Sequence, residues 1–154
     1  MDGRPLAPPA PRAESEGRLH LQELLLFLSV HLDRAPGVMW PEYEHPALGS
    51  PERPGALDRL AAELGLRTGL VANSGRATRT CDGARNPAAH LVIHQTEGAG
   101  LWRLSGDRTD GGAGAFRHRL RSGEVLYIPA RWSWTVELTP GAQYVVTDLT
   151  PPGS

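Results

Sequence analysis

The chain has 154 residues and nearly balanced charge, with 16 arginines and no lysine against 17 acidic residues. That length predicts one domain, and the charge balance predicts neither nucleic acid nor a membrane surface as a partner. The single cysteine, Cys81, excludes an internal disulfide and fits a reducing compartment. Residues 1–12 lack the apolar stretch of a signal peptide, and the apolar run 24–30 is too short to cross a bilayer. A cytoplasmic protein is expected.

The N-terminal part predicts a leader followed by a helix. Residues 1–15 are rich in proline and alanine, and we expect them to form a disordered leader. Residues 16–34 predict a helix with Ser15 as its N-cap and Pro36 just beyond its end. The apolar stripe of this helix consists of Leu21, Leu24, Leu25, Leu28 and Leu32.

A proline-rich connection separates this helix from a second one. Residues 35–54 predict an irregular segment, and residues 55–64 predict a short helix that Gly65 ends. We therefore expect one helical segment over residues 16–64. The rest of the chain, residues 65–150, has a different pattern.

Residues 65–150 predict β-structure. Short β-prone runs alternate with glycine-rich or polar breaks and with no helical period between them, which indicates a sandwich or barrel. The runs are residues 66–73, 77–81, 89–96, 101–104, 116–120, 125–128, 134–138 and 143–149. The glycine-rich stretch 106–115 predicts a hairpin loop, with a mobile lid as the alternative interpretation.

The segment Leu120–Trp134, LRSGEVLYIPARWSW, resembles the second cupin motif. Gly123 occupies a turn, five residues form a strand, and Pro129 closes that strand. More narrowly, the segment is similar to the JmjC-like cupins, the iron(II)- and 2-oxoglutarate-dependent hydroxylases that include the ribosomal oxygenases. The resemblance implies an all-β fold with N-terminal helices. Its core would be a cupin double-stranded β-helix, or jelly-roll barrel, over residues 65–150.

A second segment, His94–Leu104, is similar to the strand–turn–strand that precedes this motif in the same family. The positions in register are Gln95, Gly98, Trp102 and Leu104. Asn73 resembles an asparagine found on an earlier strand of these enzymes. The resemblance extends over about residues 60–149.

The metal-ligating positions of that family are not kept. Counting back from the motif glutamine, Arg85 and Pro87 stand where the family has a His-x-Asp pair, and Trp134 stands where it has the distal histidine. None of these side chains offers a lone pair to a metal. Arg131 replaces a turn glycine, and Gly100 replaces a basic residue that binds 2-oxoglutarate. The resemblance therefore implies a pseudoenzyme that has lost its iron site, and no cofactor is expected.

A relocated metal site is the alternative. His90 and His94 are four residues apart, so on a strand they face the same side, and His118 or Glu97 is the candidate third ligand. The cofactors would then be iron(II) and 2-oxoglutarate. The plainer interpretation places one of the two histidines at the strand edge and gives the other a hydrogen bond. The histidines predicted to lie outside the barrel, without ligand spacing, are His20, His31 and His45.

Aromatic residues in the matched segments predict a pocket at the mouth of the barrel. The candidate ligand-contacting residues are Trp102, Tyr127, Arg131, Trp132 and Trp134. The rings would stack on a planar or apolar small molecule or peptide, and the guanidinium group would meet an anion. The alternative is that these rings are simply core.

Three functions stay open. The preferred hypothesis is a non-catalytic cupin for binding or assembly, in which the barrel edge or the apolar stripe of the helix 16–34 pairs with a second copy to form a homodimer. The second is an iron(II)/2-oxoglutarate-type or other metal-dependent cupin oxygenase with relocated ligands. The third is a metal-free isomerase or lyase in which Tyr127, Glu97 or a histidine acts as the acid–base group.

Overall fold

The computed structural model describes residues 9–48, 55–78, 88–107 and 113–153. Helix α1 is Pro9–His31, strand β1 is Gly37–Met39, a short 3₁₀ helix is Pro46–Leu48, and helix α2 is Ala56–Thr68. The remaining strands are β2 Val71–Ala77, β3 His90–Glu97, β4 Ala99–Asp107, β5 Ala113–Arg121, β6 Val125–Ile128, β7 Ser133–Leu138 and β8 Gln143–Thr150. No described helix is both long and apolar enough to cross a membrane.

The strands form two antiparallel sheets that pack face to face. The five-stranded sheet has the order β1-β6-β3-β8-β2, and the three-stranded sheet has the order β5-β4-β7. Strands β3 and β4 lie in different sheets and are joined at Gly98, whose φ of 67° a glycine adopts easily. The predicted all-β fold with N-terminal helices is confirmed.

The central strands of the five-stranded sheet, β3, β6 and β8, are buried on both faces. Because side chains alternate along a strand, Ile93 on β3 points to the three-stranded sheet while Val92 points to the helices. Strand β6 is buried at every position, as its continuous apolar sequence predicts for a strand covered on both sides. The core between the sheets includes Ile93, Trp102, Leu126, Trp134, Val136 and Tyr144. The core under the helices includes Leu21, Leu24, Leu28, Leu60, Leu64, Val92, Tyr127 and Leu149.

Helix α1 begins and ends earlier than the sequence predicts. The predicted helix is 16–34, but α1 begins at Pro9, so residues 9–15 of the predicted leader are helical. Proline in the first turn removes no helical hydrogen bond, because the first N–H groups of a helix have no partner within it. At the other end α1 stops at His31, and Asp33 has a left-handed φ of 61° that does not continue the helix.

Gly65 does not end helix α2. The helix continues past it to Thr68, and Gly69 caps the end, with a φ of 76° and an N–H that donates to the carbonyl oxygen of Gly65 at 2.9 Å. Gly65 instead permits close approach, since a Cβ there would lie 2.9 Å from the carbonyl oxygen of Leu70. Strand β2 therefore begins at Val71, inside the predicted run 66–73.

Strand β1 lies within the segment 35–54 that was expected to be irregular. Its Val38 pairs with Leu126, so the strand forms an edge of the five-stranded sheet. A strand of three residues is too short for an alternating pattern to be recognised in the sequence.

The predicted runs from residue 89 onward match β3 to β8. The hairpin predicted at 106–115 is confirmed in its stem, where β4 and β5 pair as far as Asp107 opposite Ala113. Its tip, with the alternative lid, lies outside the described residues. Most of the predicted run 77–81, including Cys81, also lies outside them, and β2 ends at Ala77.

Leu24 and Leu26 test how α1 lies on the sheet. Leu24 is fully buried, whereas Leu26 is 70% exposed. We expect Leu24→Ala to lower the free energy of unfolding by about 2–5 kcal/mol, because the lost side chain leaves a cavity. The control Leu26→Ala should change it by less than about 0.5 kcal/mol. Urea unfolding followed by circular dichroism measures both, and equal effects would contradict this orientation of α1.

Candidate functional site

Aromatic rings fill the space between the two sheets. The centroid of the Trp102 ring lies 5.3 Å from that of Trp134 and 5.1 Å from that of Tyr144. All three side chains are buried. The cavity that remains beside Trp134 and Tyr144 has a volume of about 20 Å³, which is room for about one water molecule.

The five predicted pocket residues do not surround one ligand-sized pocket. Arg131, Trp132 and Trp134 border the small cavity, whereas Trp102 lies deeper in the core between the sheets. Tyr127 is on the opposite face of the five-stranded sheet, in the core under the helices. Alternation along β6 is the reason, because the neighbours of Tyr127 on that strand take the positions that face the barrel interior. Grouping Tyr127 with the tryptophans is therefore wrong.

The backbone of the matched motif has the expected turns. Arg131 has a φ of 71°, a left-handed conformation that suits the glycine of a Pro-x-Gly turn. Gly123 has a φ of 94°, and its N–H donates to the carbonyl oxygen of Gln95 at 2.9 Å. The N–H of Gln95 donates in turn to the carbonyl oxygen of Glu124 at 3.1 Å. The two segments that carry the resemblance are thus hydrogen-bonded neighbours.

Tyr127 connects helix α1 to the sheet. Its hydroxyl accepts a hydrogen bond from the N–H of Asp33 at 2.8 Å and lies 2.8 Å from Nδ1 of His90. Nδ1 of His90 also accepts from the N–H of Ala130 at 3.3 Å, so this nitrogen is unprotonated and the Tyr127 hydroxyl donates to it. Burial raises the pKa of Tyr127 and lowers that of His90. Both groups are neutral in this contact, which favours a structural role.

The three histidines of the relocated-site alternative do not converge. His90 and His94 face the helices, while His118 is on β5 in the other sheet, with its Nε2 3.6 Å from Oε2 of Glu124. Within the described residues, no three histidine, cysteine or acidic side chains are arranged to hold a metal ion. His90 and His94 each make a hydrogen bond instead.

The structure brings together three histidines that sequence reasoning kept apart. Nε2 of His20 lies 3.1 Å from Nε2 of His94, and the ring centroids of His20 and His45 are 6.0 Å apart. All three side chains are buried. His20 and His45 lie outside the barrel, as the sequence predicts, but they form one cluster with His94 on the outer face of its larger sheet. A signal existed for His20, because it follows the spacing of the buried stripe Leu21, Leu24 and Leu28 along α1.

Hydrogen bonds assign the tautomers of this histidine cluster. Nδ1 of His20 lies 2.7 Å from the carbonyl oxygen of Tyr43, which only accepts, so Nδ1 carries the proton. In the neutral ring Nε2 of His20 is then an acceptor, and Nε2 of His94 must donate to it. Nδ1 of His94 is left as a lone pair, and it has no hydrogen-bond partner among the described residues.

Burial keeps the histidine cluster uncharged. It lowers the pKa of His94 well below the usual value, and the neighbouring His20 and His45 lower it further. Burial also lowers the pKa of His20, although the carbonyl of Tyr43 opposes the shift. Burial and the adjacent His20 lower the pKa of His45 to about 4. At neutral pH the cluster therefore offers lone pairs and N–H groups but no positive charge.

An open cleft extends outward from His20 and His94. It has a volume of about 570 Å³ and lies between α1, the segment 40–48 and one end of the five-stranded sheet. Glu23 fixes the segment to α1, because its carboxylate accepts hydrogen bonds from the N–H groups of Glu42 and Tyr43 at 2.8 and 3.2 Å. The acidic side chains that border the cleft are Glu42, Glu44, Glu97 and Glu124.

Comparison with known proteins identifies the fold. No protein-family model and no curated protein sequence matches the chain. The ribosomal oxygenase YcfD from Escherichia coli superposes with a TM-score of 0.58 at 13% identity, over 84% of this chain and 52% of that one. A complex of YcfD with cobalt and 2-oxoglutarate superposes with a TM-score of 0.57 at 13% identity, over 85% of this chain and 52% of that one. The chain spans about half the length of YcfD.

The fold is that of a JmjC-like cupin. The jelly-roll class that the motif implied is confirmed. Two concave regions of the chain differ in kind. The interior between its sheets is aromatic and nearly closed, whereas the cleft on the helix side is open, polar and large enough for a small molecule.

The histidine cluster predicts a loss of stability in mild acid. The pKa of His45 is about 4 in the folded chain and 6.5 in the unfolded one, so the unfolded chain binds the proton first as pH falls. The free energy of unfolding should therefore decrease from pH 6.5 towards 4, by about 1.4 kcal/mol per pH unit from His45 alone. Urea unfolding across this range measures the slope, and His45→Gln should reduce it by that amount. A stability that is independent of pH would contradict a buried neutral cluster.

Proposed function

We propose that this cupin domain forms no iron(II)/2-oxoglutarate centre and acts as a binding or assembly module. The observation that supports the proposal is the packing of Trp134 against Trp102, with ring centroids 5.3 Å apart inside the barrel. The resemblance places a metal-ligating histidine at the position of Trp134. An indole N–H donates only and gives no lone pair to a metal.

Space inside the barrel supports the same proposal. A small-molecule pocket has a volume of roughly 300–1,000 Å³. The cavity beside Trp134 has about 20 Å³, so 2-oxoglutarate would need both Trp134 and Tyr144 to move away. The other two ligand positions hold Arg85 and Pro87, which lie outside the described residues and whose side chains do not ligate iron.

A metal-dependent cupin with relocated ligands is the second candidate. The contact of Nε2 of His20 with Nε2 of His94 at 3.1 Å favours it, because two imidazoles at this separation fit the first shell of one ion. The described residues supply no third ligand beside them. One measurement of metal content separates the two candidates.

Metal analysis tests the proposed loss of the iron site. The chain, purified with added iron, manganese or zinc, should contain far less than one ion per molecule. The double variant Trp134→His with Arg131→Gly should gain no iron, because Arg85 and Pro87 still occupy the other ligand positions. Stoichiometric metal that is lost in His94→Ala would favour the relocated-ligand oxygenase. Tight iron binding by the double variant would show that the upstream register is wrong.

The assembly part of the proposal uses the exposed face of α1. The stripe expected to form a homodimer contains Leu21, Leu24 and Leu28, which are instead buried against this chain's own sheet. A different stripe is free: Leu26 and Val30 are 70% and 59% exposed, and Leu19 lies one heptad before Leu26. The spacing 19, 26 and 30 places the three on one side of the helix, as in an antiparallel or parallel helix pair. We propose that a second copy of the chain packs against this stripe.

We also propose a cytoplasmic location, which fits the single cysteine of the chain.

Sedimentation tests the dimer. Leu26→Glu with Val30→Glu should shift the chain from dimer to monomer, because each copy would then bury two charges in the interface. Leu66→Glu is the matched control, since Leu66 is 86% exposed and belongs to α2 and not to α1, and it should leave the dimer intact. Analytical ultracentrifugation of the three proteins measures the difference. A wild-type chain that is monomeric at about 100 μM, where interfaces of even modest affinity form, would exclude this assembly.

A further inference from the structure

A buried histidine in the lining of the cleft has an unsatisfied hydrogen-bond acceptor. His94 lines the cleft, is only 3% exposed and has a lone pair on Nδ1 without a partner among the described residues. An acceptor buried without a donor costs about 1–3 kcal/mol. A ligand that donates a hydrogen bond at this point would remove that cost. Because the ring is neutral, it does not repel a positive charge.

The rim of the cleft is negatively charged. Glu42, Glu44, Glu97 and Glu124 border it, and Arg76 is its one basic residue among those described. Arg76 is already engaged, since its guanidinium donates to the carbonyl oxygen of Ala47 at 3.4 Å. The excess of negative charge attracts a cation and repels an anion.

Three of these carboxylates are unpaired. Within the described residues Glu42, Glu44 and Glu97 form no ion pair, and all three are exposed at the rim. Glu124 differs, because its carboxylate accepts from the N–H of Arg121 at 2.6 Å and lies 3.6 Å from His118. The negative charge open to a ligand therefore comes from the segment 40–48 and from the end of β3.

An aromatic ring stands at the same rim. Trp40 is 71% exposed and borders the cleft, and its Nε1 lies 3.7 Å from the position that a Cβ on Gly123 would take. An exposed indole attracts a cation through its ring face and contributes about 0.5–1 kcal/mol. The acceptor on His94, the carboxylates of the rim and the ring of Trp40 all favour a cation that donates hydrogen bonds.

We infer that the cleft binds a small organic cation that donates hydrogen bonds through an ammonium or guanidinium group. The inference rests on the binding role proposed above and gives it a site and a ligand class. The carboxylates of Glu44 and Glu97 supply the charge, Nδ1 of His94 accepts a hydrogen bond at the inner end, and Trp40 covers the outer end. The volume of about 570 Å³ accommodates such a molecule.

Titration with agmatine, which carries both groups, tests the inference. Nuclear magnetic resonance of the full chain should show saturable shifts at the amides of Thr96 and Gly123, and the affinity should fall with added salt. Butane-1,4-diol, a neutral compound with the same spacer, and succinate, an anion, should not bind. Zinc alone is titrated in parallel.

Substitutions of the cleft glutamates, with a matched control elsewhere, test which carboxylates bind the cation. Glu44→Gln and Glu97→Gln should each weaken agmatine binding about two- to fivefold, the range of a partly solvated ion pair. The control Glu137→Gln removes a carboxylate that pairs with Arg103 on the exposed face of the other sheet, and it should change nothing. His94→Gln should weaken binding about tenfold through the lost hydrogen bond. If that variant does not fold, the glutamate variants still decide.

Every outcome of these titrations either supports or overturns the inference. Agmatine binding that both cleft variants weaken and the control leaves unchanged supports the inference. Absence of binding, equal binding of the diol, or indifference to both cleft variants overturns it, and the metal-free function stands if the chain also holds no metal. Zinc binding without agmatine binding, lost in His94→Gln, overturns the inference and the metal-free function together.

Discussion

The alternation of side chains across the five-stranded sheet is the constraint on which the rest of the structure depends. Strands β3 and β6 are covered on both sides, so each successive residue belongs to a different core. Ile93 faces the tryptophans, and Val92 faces the helices. A slip of one residue would exchange the two sets and place His94 among the indoles. One register therefore fixes both the closed interior and the polar cleft.

The contrast between these two regions follows from what each has to bury. Between the sheets, buried indole and phenol rings occupy most of the volume, and little space remains for a ligand. On the helix side, a histidine of α1 meets a histidine of β3, and each satisfies part of the other's hydrogen bonding. The buried histidines therefore lie on the outer face of the larger sheet, under the helices, and not between the two sheets.

The strands and the motif could be predicted because their signals are local. Val125–Ile128 is a continuous apolar run between turn residues, and Arg131 sits in the turn that its alignment with a glycine implied. The start of helix α1 was less predictable, because proline usually indicates the end of a helix although the first turn tolerates it. The prediction at Gly65 is wrong for a similar reason, because a glycine that permits close packing within a helix has the same local sequence signal as one that ends it.

The histidine cluster could not be predicted in full. The spacing of His20 with Leu21 and Leu24 indicates a buried position, but the contact with His94 joins residues 74 positions apart in sequence. It depends on how α1 docks on the sheet, and no local pattern records docking. Glu23 helps to place His45 in the cluster, because its carboxylate accepts hydrogen bonds from the backbone of Glu42 and Tyr43.

The core under the helices has a consequence for how the domain can be divided. Leu24 of α1, Leu60 of α2 and Val92 of β3 pack in one cluster, and Tyr127 holds the end of α1 by a hydrogen bond. We therefore expect the helical segment and the barrel to unfold as one cooperative unit. A barrel stripped of its helices would carry a bare apolar sheet and would aggregate rather than stand alone.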